Sequence, residues 1–484
     1  MEKSHFNELV AQGYNHIPVS RELLVDTDTA LALYLKLANT PYSYFLESVQ
    51  GGEKWSRYSF IGLMAETVIK VFDYQVTVEE NGKIVQKHQV EDPLAWIEEY
   101  QAQFKVPKLE HLPVFNGGLV GYFGYEIIRY IEPKLANINK PDELGVADIL
   151  LMLSNDLLVV DNLSSKAFII THVNPSERSL GDAIAKLDEI EKRIKEPLVE
   201  QPSEAVDIKA EDFVSSFGKD NFMRSVEDIQ KYIIAGDVMQ VVPSQRLSCD
   251  FRAKPIDLYR QLRVLNPSPY MYFLNLDDFS IVGSSPEILT RVDNNNIATV
   301  RPIAGTRSRG KTSEEDLALE VDLLSDHKEI AEHLMLIDLG RNDLGRIAKT
   351  GTVTLTDKMF IERYSHVMHI VSNVECELQD DMSPIDVLRA TFPAGTLSGA
   401  PKVRAMEIIN DIEPLKRNIY SGAIGNLSWH GGMDLAIAIR TAVIKDNTLY
   451  VQAGAGIVYD SVPESEWQET MDKAQALIRA AEKI

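Results

Sequence analysis

Residues 313–339 contain neither glycine nor proline and repeat apolar residues at helical spacing, so the rest of the chain must fold around this stretch. Leu317, Val321, Leu324, Ile330, Leu334 and Ile337 form the repeat. The spacing predicts one long helix over Ser313–Asp343 with that stripe as its apolar side. Thr312 or Ser313 can cap it, and Glu314, Glu315 and Asp316 fill the first turn, where the helix dipole favours acids. Glu329 and Glu332 lie three apart and share one face. Left alone, such a pair repels by about 0.3 kcal/mol. A hard divalent cation such as Mg²⁺ reverses that sign, because it takes carboxylate oxygens. The pattern returns near the C-terminus, where Glu466 and Glu469 precede Lys473 on a helix whose apolar side is Trp467, Met471, Ala474, Leu477 and Ile478. Two such helices can meet around one metal ion. The plainer reading is that all four are solvated surface acids, since this spacing is common.

A chain of 484 residues suffices for two domains or one large one with a sizeable core. The net charge of −23 argues against nucleic acid and anionic membrane as partners. It also requires that any anionic substrate be held by locally placed cations or by a metal. Cys249 and Cys376 supply neither a disulfide framework nor metal-ligand spacing and read as buried apolar thiols. No run approaches 18 apolar residues; ADILLMLSNDLLVV comes closest and is broken by Ser154, Asn155 and Asp156. The first residues hold no apolar signal segment, so the chain reads as cytoplasmic.

Residues 1 to about 195 read as mixed and rich in strands, with Asn81-Gly82 as a hairpin turn and a helix over Gly181–Lys195. The Pro- and acid-rich KEPLVEQPSEAVDIKAED reads as an exposed linker. It sets a boundary near residue 205 between an N-terminal region (1–205) and a larger C-terminal region (206–484), two parts of one compact body. A helix over Gly218–Ala235, one strand in VMQVVPSQRLSCDF, a helix in DLYRQLRVLN and a meander of short strands follow. Strand runs alternate with helix runs without βαβ regularity, which favours α+β with large antiparallel or mixed sheets. The chain carries no dinucleotide fingerprint, phosphate-binding loop or nucleophile elbow.

Several residues carry chemistry or a plainer role. His369, in YSHVMHI, lies on a strand facing away from His366 and is either a satisfied buried histidine or a catalytic one. PAGTLSGAPK puts Gly395, Thr396 and Gly399 in a loop leading into a helix, where backbone N–H groups can meet a carboxylate. Gly454 and Gly456 follow a strand and allow close approach to a ligand, or only a tight turn. Arg440 sits in the apolar strand LAIAIRTAV and needs an anion, from a ligand or from a structural acid. Arg301 and Arg307 around PIAGT can do the same. Glu287, in GSSPEIL, is a candidate general acid or a helix-start acid.

Taken together, VGSSPEILTRV, RPIAGTRSRG, DHKEIAEHLMLIDLGRND, YSHVMHIV, PAGTLSGAPKVRAMEII, IAIRTA and QAGAGIVYDSVPESEWQET resemble the chorismate-utilising enzymes in this order and spacing. Within them, the chain looks most like the anthranilate synthase component I family; FLESVQGGEKWSRYSFIG and NPSPYM extend the resemblance to the N-terminal half. The resemblance implies an α+β body with two large packed sheets flanked by helices and an active site between the sheets. It implies Mg²⁺ at Glu329, Glu332, Glu466 and Glu469, anchoring the ring carboxylate of chorismate. Tyr420, Arg440 and Lys473 would hold the enolpyruvyl carboxylate beside the Gly454–Gly456 backbone, and Gly305, Thr306 and Thr396 would line the ring-carboxylate end. Glu287 would protonate the leaving C4 hydroxyl while ammonia adds at C2, and His369 would assist the elimination of pyruvate. Relatives that add water carry Lys where this chain has Gln240, and aminodeoxychorismate synthases carry Lys where it has Ala304; both departures favour anthranilate as product. The chain has no glutaminase nucleophile, which implies a separate glutamine amidotransferase partner and a hetero-oligomer. The resemblance also implies feedback by tryptophan at Glu47, Ser48, Pro269, Tyr270 and Met271, which read otherwise as a core contact. Asn426 departs from the Tyr of many relatives and bears on inhibitor strength. The alternatives are aminodeoxychorismate synthase component I and a non-catalytic tryptophan-binding regulatory subunit.

Overall fold

Apolar residues alternate along the strands and give each sheet two buried faces. The computed structural model describes residues 1–49, 57–136, 140–199, 206–364 and 367–484. Within them lie an eleven-stranded and a twelve-stranded sheet, their described strands pairing antiparallel, with a small two-stranded sheet between Gln240–Val241 and Gly399–Ala400. Both large sheets join strands from the two sides of residue 205, through Ser43–Glu47 against Tyr270–Asn275 in one and Gly118–Phe123 against Ala423–Ser428 in the other. The boundary itself falls on 200–205, and His366 on 365–366, outside the described residues.

Three apolar layers follow from this alternation. Tyr44, Tyr122, Leu150, Met152, Leu157, Tyr272, Ile281 and Val443 fill the space between the sheets. Phe45, Ile61, Leu158 and Phe273 point the other way, onto the helices Ala30–Leu37, Leu180–Lys195, Pro255–Leu265 and Pro463–Ala481. Ile149, Leu151 and Val374 cover the far side of the second sheet, beneath helices that include Pro93–Ala102 and Pro384–Thr391. The order is helix, sheet, sheet, helix, the α+β arrangement expected. The long apolar run 147–160 is thereby explained. It is two strands, Ile149–Ser154 in one sheet and Asp156–Asp161 in the other, each covered on both faces. No helix of the described residues is long and apolar enough to cross a membrane.

The predicted single helix over Ser313–Asp343 is two, Ser313–Ser325 and His327–Gly345. Thr312 caps the first, and Asp326 ends it and caps the second through the Lys328 and Glu329 N–H groups. The stripe reasoning holds only in part: Ile337 is buried as expected, but Leu317, Val321, Leu324 and Leu334 face solvent, and Leu323 and Leu336, outside the stripe, are buried. With the break at Asp326, the two halves of the repeat need not share a face. Gly340 sits where a Cβ would come within 2.9 Å of Val300 Cγ2, so the second helix lies close on the twelve-stranded sheet. The single strand expected in VMQVVPSQRLSCDF is likewise two, divided at Pro243: Gln240–Val241 and Ser244–Asp250. The N-terminal helices Lys3–Ala11, Ala30–Leu37 and Pro93–Ala102 are additional to the strands foreseen there.

Candidate active site

Two neighbouring strands change sheet at the same level, and this builds the site. Phe279–Ser285 belongs to the eleven-stranded sheet and Ile288–Val292 to the other, with Glu287 in the crossing. Met433–Ile437 and Thr441–Lys445 make the reverse passage, with Arg440 in theirs at φ +47°. Arg440 is therefore not inside a continuous strand, as its apolar context suggested. The crossings are laced by Ile437 N–H to Glu287 O (3.0 Å) and Ser284 N–H to Arg440 O (3.1 Å). Two ionisable side chains thus stand between the sheets.

Burial acts on them in opposite senses. The Glu287 carboxyl is pushed up to about 7 by burial, against the pull of the Thr396 hydroxyl, which donates to Oε1 at 3.0 Å, and of Arg440 and Lys473. Near neutral pH it holds a proton much of the time. It lies between strands rather than at a helix start. Burial lowers the Arg440 pKa, and among the described residues its guanidinium makes no hydrogen bond or ion pair. Such a group needs an anion. Arg301 and Arg307, the other candidates, already have protein carboxylates: Arg301 pairs with Glu362, and Arg307 with Asp322 (2.6 Å), Asp326 (2.8 Å) and Glu329 (3.6 Å).

His369 lies on the strand Val367–Glu377 and is buried. Its Nδ1–H donates to Gly305 O (3.1 Å) and faces Thr306 Oγ1 (3.0 Å), leaving Nε2 as the basic nitrogen. Burial first, and then Arg440, depresses the imidazole to about 4, so the ring is neutral at neutral pH. Tyr364 meets its edge, ring centroids 5.6 Å apart, and donates its hydroxyl to Glu362 at 2.8 Å.

The helix His327–Gly345 closes one side. Glu329, Glu332, Leu336, Leu339 and Asp343 recur on one face, and the last three line an open cleft with Glu287 and Thr396. Gly305, at φ +74°, brings its backbone where a Cβ would lie 3.1 Å from Glu329 Oε2. Gln240 Nε2 reaches Glu332 Oε1 at 3.4 Å, and a Cβ on Gly456 would lie 2.5 Å from that same nitrogen. Gly454 O accepts from Lys473 Nζ (2.9 Å), and Tyr420 Oη borders the same glycine. Lys473 also pairs with Glu469 at 2.7 Å.

The four glutamates are therefore disposed unequally. Burial raises the pKa of Glu329, as does Glu332; burial raises that of Glu466, as does Glu469. Lys328, in the first turn of the one helix, pairs with Asp460 just before the other at 3.6 Å and also acts on Glu466. The two first turns adjoin, while Glu469 turns to Lys473. No three His, Cys, Asp or Glu side chains among the described residues stand together as a preformed metal cluster. The donor set still suits a hard cation, since only carboxylates are offered and their repulsion is what a cation would relieve. Leu336, Leu339, Asp343 and Tyr364 escaped the sequence reading. Counting one helical turn at a time from Glu329 and Glu332 reaches the first three; no sequence signal marks Tyr364.

The residues named for tryptophan also gather. Glu47 pairs across the sheet with Met271 and accepts from Tyr259 Oη (2.6 Å) and from Arg263. Tyr270 Oη donates to Asp434 Oδ1 at 2.9 Å, and Asn426 lies opposite Asp434 in the facing sheet. The Val49 N–H bonds to Ser268 O (3.2 Å), joining the chain after Ser48 to the segment before Pro269.

Comparison with known proteins agrees with this geometry. A profile described as chorismate binding enzyme matches residues 42–479. The anthranilate synthase component 1 of Pseudomonas aeruginosa is 56% identical over 99% of this chain and 98% of its own. That of Neisseria meningitidis serogroup B is 57% identical over 100% and 99%. The crystal structure of anthranilate synthase component I from Streptococcus pneumoniae superposes with a TM-score of 0.78 at 38% identity, covering 94% of this chain and 99% of that one. The menaquinone-specific isochorismate synthase of Escherichia coli, at 20% identity and a TM-score of 0.71, shares the fold. The chain belongs to the chorismate-binding enzymes and, within them, to the anthranilate synthase component 1 family.

Proposed function

We propose that the protein converts chorismate and ammonia to anthranilate, pyruvate and water, as the chorismate-binding subunit of a Mg²⁺-dependent lyase. The observation that carries this reading is Glu287, buried and raised to about 7, facing an Arg440 that makes no hydrogen bond or ion pair among the described residues. Arg440 takes the enolpyruvyl carboxylate, with Tyr420, Lys473 and the Gly454–Gly456 backbone beside it. Gly305, Thr306 and Thr396 line the ring-carboxylate end. Glu329, Glu332, Glu466 and Glu469 would hold Mg²⁺, which would supply a hard positive charge for the ring carboxylate.

Ammonia attacks ring C2 as the C4 hydroxyl departs, and Glu287 gives that hydroxyl its proton so that water leaves. Removal of the C2 proton then expels enolpyruvate, which becomes pyruvate, and the ring becomes aromatic. Neutral His369, whose Nε2 has no hydrogen-bond partner among the described residues, assists that transfer. Gln240 and Ala304 offer no amine base or nucleophile, which supports ammonia rather than water or an enzyme lysine as the attacking group.

The family name, component 1, supports a second subunit, which we take to be a glutamine amidotransferase. Tryptophan acts as feedback inhibitor at the Glu47, Ser48, Pro269, Tyr270 and Met271 cluster. Two free buried thiols, Cys249 and Cys376, support a reducing, cytoplasmic setting. The test incubates the chain with chorismate, Mg²⁺ and ammonium. Fluorescent anthranilate with equimolar pyruvate is expected, lost on chelation and diminished by tryptophan. Accumulation of aminodeoxychorismate without pyruvate would reject the assignment.

A further inference from the structure

The strand Thr354–Arg363 runs beside Val367–Glu377, with Glu362 directly across from His369 and Phe360 across from Val371. Residues opposite one another in an antiparallel pair share a face, and so do residues two apart on one strand. Phe360, Glu362 and Tyr364, the last just beyond the strand, therefore stand on the face that carries His369. Their side chains are tied in sequence. Buried Arg301 pairs with Glu362 and lies over the Phe360 ring, 5.7 Å from its centroid. Glu362 Oε2 accepts the Tyr364 hydroxyl at 2.8 Å. The Tyr364 ring then meets His369 edge to face, centroids 5.6 Å apart and planes at 65°. The Tyr364 backbone is pinned at both ends, its N–H to Val367 O (2.8 Å) and its carbonyl by Arg309 Nη1 (2.7 Å).

This wall answers a need of His369. Its Nδ1–H is anchored at Gly305 O and Thr306 Oγ1, and a ring held at one nitrogen still tilts about that bond. We propose that Tyr364 is a positioning residue for the second half of the reaction: its ring, clamped through Glu362 to Arg301, holds the imidazole so that Nε2 meets the C2 proton of the aminated ring. The inference rests on the functional reading above, in which His369 assists pyruvate release, and extends it to the residues that aim His369. The charges agree with it. Burial and Arg440 disfavour a protonated His369, whereas Gly305 O and Glu362 favour one, so the carboxylate that holds Tyr364 also eases the proton's arrival. Acting through His369, Tyr364 bears on the elimination and not on the ammonia addition that Glu287 serves.

The test follows chorismate, the 2-amino intermediate that still carries its enolpyruvyl ether, and anthranilate in quenched time courses of the full chain with Mg²⁺ and ammonium. Tyr364→Leu, Tyr364→Phe and His369→Ala are compared with wild type. Tyr364→Leu removes the ring and should raise the ratio of intermediate to anthranilate roughly tenfold or more, with the KM for chorismate within about twofold. Tyr364→Phe keeps the ring and loses only the hydroxyl, so it should restore much of the wild-type ratio. A merely structural role would slow both steps alike, and a wild-type ratio in Tyr364→Leu would overturn the proposal. Should that variant not fold, Tyr364→Phe decides instead, a raised ratio upholding the proposal and a wild-type ratio overturning it. If the wild-type chain formed no anthranilate, or His369→Ala accumulated no intermediate, the functional reading would fail and this assignment with it. An accumulating His369→Ala beside a Tyr364→Leu at the wild-type ratio would sink only the role given to Tyr364.

Discussion

Glu287 and Arg440 owe their chemistry to the same cause acting on opposite charges. A carboxyl raised to about 7 keeps its proton where an ordinary one would not, and so can act as an acid. Glu287→Gln should lower kcat by roughly 100-fold or more with the KM for chorismate changed far less, the span typical of a general acid. In the native enzyme, the rate per free ammonia should fall as pH rises through about 7, as the acid loses its proton. A profile flat from pH 6 to 8.5 would remove Glu287 from this role. Arg440 has the converse problem: burial weakens its charge, and Glu287, itself raised to about 7, answers it only in part. Arg440→Met should raise the KM for chorismate at least tenfold and raise the melting temperature of the ligand-free enzyme, since a buried cation answered only in part is removed. A lower melting temperature would show that Arg440 has a structural anion after all.

At the scale of elements, the decisive feature is the break at Asp326, because it aims Glu329 and Glu332. Asp326 caps the second helix and holds Arg307 at 2.8 Å, and Arg307 in turn reaches Glu329. Asp326→Ala removes that cap and loosens the first turn. The Mg²⁺ concentration for half-maximal activity should rise several-fold, with kcat at saturating Mg²⁺ within twofold. An unchanged Mg²⁺ requirement would separate the cap from the metal site. The same break shows where sequence reading stops. Helix content, the α+β class, the Asn81-Gly82 turn and the i,i+3 acid pairs were legible because each depends on residues within a turn or two. The break was not: an aspartate in mid-helix and an aspartate that ends one helix and caps the next have the same neighbours. Nor was the solvent exposure of Leu317 and Val321, since periodicity defines a face without saying what, if anything, covers it. The sheet changes at Glu287 and Arg440 were hidden too, because pairing partners fix them and local composition does not.

Across the whole molecule, the buried titratable groups form two opposed sets whose balance sets acid stability. Burial holds His172, His333 and His369 near 4 and His16 well below its ordinary value. Each binds a proton in the unfolded chain before it does in the folded one, so each contributes stability above pH 6.5 that is lost as pH falls toward 4. Glu126 and Glu287, both raised to about 7 by burial, act the other way: folded, they take up protons first, and acidification from pH 7 to 4.5 favours the fold. The histidines act as pH falls through 6.5, and Glu126 and Glu287 offset part of their effect; Asp148, Asp156, Asp343 and Asp434, also raised by burial, add to that offset further down. His16 and His172 stack with ring centroids 4.7 Å apart, so charging either one also opposes charging the other. Urea midpoints should therefore fall progressively from pH 7 to 5, and His172→Phe should flatten that dependence by about one proton's worth of slope. Midpoints that held level or rose over this interval would mean that the carboxyls, not the histidines, govern the acid response.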